Sequence, residues 1–139
     1  MVSTETMVQT PVVEPKILTV LLKIKTIKDN PLPQIMLLDK ISANGFLKNK
    51  TGEINLAIEG SLIVQIIDRQ GIIIKEEQLP NPLQKQYETA DEEGKLQSHP
   101  ITLEAEVFSV RIQRNPELTS LKIYIIKDRK RFLLKQVQL

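Results

Sequence analysis

Apolar residues in this chain recur at every second position, in short runs separated by Pro, Gly, Asn and Asp. A period of two belongs to a pleated strand with one face on a core. Residues 16–28, KILTVLLKIKTIK, set Leu18, Val20, Leu22 and Ile24 in one phase. Thr19, Leu21, Lys23 and Lys25 fall in the other. A helix would instead group its lysines at three- and four-residue spacing. Similar runs occupy residues 34–41, 53–58, 62–67, 72–79, 101–113, 120–126 and 132–139. Turn-forming residues lie between them: Asp29-Asn30-Pro31-Leu32-Pro33, Ser42-Ala43-Asn44-Gly45, Asp68-Arg69-Gln70-Gly71 and Arg114-Asn115-Pro116-Glu117. The apolar content agrees with strands, because it is almost entirely Ile, Leu and Val, with only 4% aromatic residues.

This pattern predicts an all-β fold, an antiparallel immunoglobulin-like or fibronectin-like β-sandwich of about seven to nine strands. A small closed barrel is the alternative. The sandwich is expected to span residues 16–139 as one domain. Residues 1–15, rich in Thr, Val, Pro and Glu, read as a flexible tail or linker. The reversal of phase at Val107 and Phe108 predicts a bulge or a crossing between sheets. Residues 80–100, PNPLQKQYETADEEGKLQSHP, read as a long polar loop, with 83–88 as a candidate short edge strand or helical turn within it.

Two stretches echo one another: SLIVQIIDRQGIIIKEEQL at 61–79 and SLKIYIIKDRKRFLLKQVQL at 120–139. Each is an apolar strand, a charged turn and a returning strand. Hairpins of matched length produce such an echo without any shared activity.

The chemical inventory is sparse. There is no cysteine, so disulfides, thiolate catalysis and Cys-based zinc sites are excluded. His99 is the single histidine, and its polar surroundings suggest a solvated side chain rather than a base. Asp91, Glu92 and Glu93 form the one dense carboxylate run, without the alternating ligands of a calcium loop. The basic turn at 127–131 carries Lys127, Arg129, Lys130 and Arg131 against Asp128. It lacks the wider basic face and stacking aromatics that nucleic acid requires. The net charge of +2 gives no global attraction to nucleic acid or membrane. No apolar run is long enough to span a bilayer, and the first residues do not read as a signal peptide.

The expectation is therefore a non-catalytic interaction or spacer module with no cofactor and no metal. Its partner would be another protein or a second copy of itself. Candidate contacts are Lys127, Arg129, Lys130 and Arg131 on the basic turn, and Tyr87, Asp91, Glu92 and Glu93 in the 80–100 segment. Leu21, Ile63, Ile67, Ile73 and Ile126 fall in the wet phase of their strands, so each needs either an internal cover or an interface.

The stretches SLIVQIIDRQGIIIKEEQLPNP and EAEVFSVRIQRNPELTSLKIYIIKDRKRFLLKQVQL resemble the hairpins of immunoglobulin-like accessory domains in bacterial secreted or surface proteins. The likeness lies in the Asp-x-x-Gly turn, Phe-Ser-Val-Arg-Ile, the Asn-Pro turn and Leu-x-Ile-Tyr. It implies a secreted or cell-surface setting. It also raises the alternatives of an accessory domain of an extracellular hydrolase or a self-assembling structural subunit. It transfers no site residues.

Overall fold

The computed structural model describes residues 14–48 and 52–139. Most of the expected tail at 1–15 lies outside the described residues. Nine strands follow in order: β1 Lys16–Lys25, β2 Gln34–Asn44, β3 Leu62–Asp68, β4 Ile73–Leu79, β5 Gln84–Ala90, β6 Leu96–Thr102, β7 Ala105–Gln113, β8 Leu118–Lys127 and β9 Lys130–Gln138. The described residues contain no helix. Every strand pairing is antiparallel.

The strands form three sheets, ordered β2-β1-β7, β4-β3-β8-β9 and β5-β6. The first two enclose one core. Leu18, Val20, Leu22 and Ile24 of β1 meet Val110 and Ile112 of β7 on one side. Leu62, Val64 and Ile66 of β3 join Leu121, Ile123 and Ile125 of β8 on the other. The β1 alternation in the sequence therefore marks the core face correctly.

The four-stranded sheet also hides apolar residues on its outward face. Ile63 and Ile126 are both fully buried, and Ile67 nearly so, yet none belongs to the central core. Gln65 shares that outward face and its amide donates to Glu76 Oε1 at 2.8 Å. The same oxygen accepts from Arg131 Nη1 at 3.0 Å. Arg131 is on β9 and Glu76 on β4, so the ion pair links the two edge strands across β8 and β3. The aliphatic stem of an arginine laid this way covers apolar surface while its head stays polar. Segment 53–60 closes another part of the face. Asn55 N donates to Gln78 Oε1, Gln78 Nε2 donates to Asn55 O, and Gly60 N donates to Ile126 O. Of the wet-phase residues, Ile63, Ile67 and Ile126 are thus covered within the chain, Leu21 is half-buried, and Ile73 stays exposed.

Several local expectations change. Residues 53–58 do not form a strand, because their polar partners on β4 hold them as turns. The expected turn at 42–45 begins later, since β2 pairs with β1 as far as Asn44 opposite Lys16. The 101–113 run is two strands, broken at Leu103, whose N–H donates to Leu83 O at 2.6 Å. No bulge interrupts the β1 to β7 ladder at Val107 and Phe108. The 80–100 segment is not a long loop: the candidate edge strand at 83–88 corresponds to β5, and most of β6 follows within the segment.

The two echoed hairpins turn differently. Between β3 and β4, Asp68 Oδ1 accepts from Gln70 N and Ile72 N, both at 2.9 Å, and Gly71 takes φ +80°. Between β8 and β9 the connection is two residues, Asp128 and Arg129, with φ of 52° and 61°. This tight form follows strand twist well, but its second position favours glycine.

Three outcomes follow from this structure. Leu62→Ala, at a fully buried position, is expected to cost about 2–5 kcal/mol by urea unfolding. Ile41→Ala, on the exposed edge strand β2, should change stability by no more than about 0.5 kcal/mol. Arg129→Gly relieves a left-handed residue and is expected to raise stability by about 0.5–1 kcal/mol in the same assay.

Candidate functional site

The candidate contacts fall on two hairpins, β5–β6 and β8–β9. Tyr87 lies at the middle of β5, and Asp91, Glu92 and Glu93 form the turn to β6. Lys127, Arg129, Lys130 and Arg131 surround the β8–β9 turn. Lys127 Nζ donates to Pro31 O in the turn between β1 and β2. Lys127 also lines a cleft of about 330 Å³ with Thr26, Pro31, Leu83, Gln84 and Thr102. That cleft places the root of the β5–β6 hairpin beside the basic turn.

The hairpin itself projects as a separate two-stranded ribbon. Its register pairs Tyr87 with His99, Lys85 with Ile101 and Ala90 with Leu96. Every strand residue except Thr89 is exposed, including Tyr87 at 54% and Leu96 at 72%. A two-stranded ribbon with no packed face is marginally stable in water. One ion pair secures its root, with Lys85 Nζ 2.5 Å from Glu106 Oε2 on β7. The Lys85 ammonium, aided by the Val107 N–H, holds the Glu106 carboxyl below its usual range.

The turn of this ribbon repeats the β3–β4 turn. Asp91 Oδ1 accepts from Glu93 N at 2.9 Å and from Lys95 N at 2.8 Å, while Gly94 has φ +79°. Asp91 therefore shapes the turn, and Glu92 and Glu93 are left to face solvent. The Asp-x-x-Gly spacing that marks Asp68 to Gly71 also marks Asp91 to Gly94. It was the legible sign of a hairpin here. The strands around it are concealed by their polarity, since QKQYETA and LQSHPIT bury almost nothing.

The basic residues have unequal freedom. Arg131 is committed to Glu76, and Lys127 to Pro31. The Asp128 N–H donates to the Glu59 carboxylate. Arg129 and Lys130 make no side-chain hydrogen bond or ion pair among the described residues. Composition alone does not reveal these differences, because each depends on strands distant in sequence.

No catalytic grouping emerges among the described residues. His99 Nε2 sits 3.2 Å from Thr89 Oγ1 on the open ribbon, and no carboxylate orients the imidazole there among the described residues. No cluster of three or more His, Asp or Glu among the described residues is placed to hold a metal ion. No helix among them is long and apolar enough to cross a membrane. No family model, curated protein or solved structure matches this chain.

The Glu76 to Arg131 pair has a pH signature. The Arg131 hydrogen bond lowers the Glu76 carboxyl, burial opposes that effect, and the Gln65 amide adds to the lowering. The folded value is thus below the ordinary 4.5. The contribution is complete above the ordinary value and disappears as pH falls through the folded one. Glu76→Gln is expected to cost about 0.5–1 kcal/mol at neutral pH, measured by urea unfolding. That cost should shrink on acidification to about pH 3. An equal cost at both pH values would show that the charge plays no part.

Proposed function

We propose that this chain is a non-catalytic interaction module on an immunoglobulin-like sandwich, and that it docks a protein partner through the β5–β6 ribbon. The four-stranded sheet supports the immunoglobulin-like assignment. Its central β3 and β8, with β4 and β9 outside them, match the order of the C′-C-F-G sheet in that architecture. The three-stranded sheet matches A-B-E in position but not in chain order, because edge strand β2 follows β1.

The exposed ribbon carries the functional reading. Its strands present both faces and an open β5 edge, and open edges accept an added strand from a partner. Tyr87 supplies an amphipathic anchor of the kind that concentrates binding energy. The root is braced by Lys85 and Glu106, so the ribbon is presented from a fixed base.

Site-specific photocrosslinking in the native cell tests this reading. A crosslinker at Tyr87 or Leu96 is expected to trap discrete protein adducts. The same group at Glu117, on the opposite end between β7 and β8, is expected to trap none. Adducts absent from the ribbon, or equal at both ends, would overturn the assignment.

A further inference from the structure

We infer that the partner for the ribbon is a second copy of this chain. The two ribbons would pair through their β5 edges across a two-fold axis, with each acidic turn seated on the other's basic turn. This inference rests on the ribbon being the docking element. It adds the identity and geometry of the occupant.

Edge chemistry selects β5. The outer edge of β6 contains Pro100, which has no N–H to donate. β5 contains no proline and its outer edge has no partner among the described residues. Antiparallel pairing about a two-fold axis must join residues of the same phase. Full overlap of Gln84–Ala90 meets that condition and puts Tyr87, the middle residue, on the axis. Tyr87 then faces Tyr87 of the partner subunit. Gln86 falls opposite a Glu88 carboxylate, and Lys85 opposite a Thr89 hydroxyl. Aromatic and hydrogen-bonding cross-strand pairs of this sort stabilise ladders.

The same register positions the charges. Full overlap carries the turn after Ala90 of one copy to the Gln84 end of the other. Gln84 lines the cleft that Lys127 also lines, beside the β8–β9 turn. Glu92 and Glu93 would therefore meet Arg129 and Lys130. None of these four side chains has an ion-pair partner among the described residues. Within one copy they do not serve one another. A seven-residue strand places the acidic turn about 23 Å from the ribbon's root, beyond the ~8 Å screening length in physiological salt. The two-fold axis makes the two charged contacts equivalent, so the contact is reciprocal and closes as a dimer rather than extending as a fibre.

Charge reversal tests the pairing. Sedimentation velocity across a concentration series is expected to show a dimer that weakens as salt rises. A Glu92→Lys, Glu93→Lys variant places like charges at both contacts and should raise the dimer dissociation constant at least 10-fold. An Arg129→Glu, Lys130→Glu variant should do the same. Mixing the two variants restores opposite charges at both contacts, so a heterodimer should return. Circular dichroism would confirm that each variant keeps its β-sheet spectrum. The natural chain lacks cysteine, so Tyr87→Cys introduces a single thiol. Under mild oxidation it should form a disulfide dimer faster than Gln97→Cys. A native monomer at every concentration would overturn the inference, as would a dimer indifferent to both reversals. Photocrosslinks from Tyr87 to a different protein would keep the docking reading and remove the second copy as its occupant.

Discussion

The structure depends on the burial of β3 from both sides. Its inward residues Leu62, Val64 and Ile66 enter the core, while Ile63, Gln65 and Ile67 are hidden on the outward face. A strand covered on both faces requires two unrelated sources of cover. The opposing β1 and β7 layer provides one. The other comes from Arg131 reaching Glu76, together with segment 53–60 held by Gln78. Removing the polar bridge would expose aliphatic surface as well as unpair a charge, so its role exceeds that of an isolated surface ion pair.

Both body sheets are assembled from segments far apart in the chain. β1 finds its second partner in β7, and β3 finds its own in β8. Nonlocal pairing brings distant turns into shared neighbourhoods. The turn after β1, the root of the β5–β6 ribbon and the tip of β8–β9 consequently line one cleft. The cationic β8–β9 turn thus lies beside the root of the ribbon, although the intervening sequence separates them.

The ribbon differs energetically from the body. Its pairing satisfies backbone groups, but its side chains bury little. Its order depends on the Asp91 turn, the Lys85 contact with Glu106 and the bond from Leu103 N to Leu83 O. Such an element sits at the low-stability end of a fold, where binding surfaces are commonly found. The body supplies rigidity and the ribbon supplies available surface.

The sequence by itself determined the strand character and the core phase of β1, β3 and β8, because one-sided burial imposes a period of two on apolar residues. It also placed the Asp68 turn, through the fixed need for a short acceptor and a glycine. It left β5 open between an edge strand and a helical turn and did not reveal β6, since strands that pack on nothing carry no hydrophobic alternation. The repeated Asp-x-x-Gly spacing was the sign that the two form a hairpin. Tertiary structure alone decided that Ile63 and Ile126 are interior, that Arg131 is committed while Arg129 and Lys130 have no ion-pair partner among the described residues, and that the basic turn lies beside the ribbon's root. Those outcomes depend on which distant strands become neighbours, and local alternation contains no record of that choice.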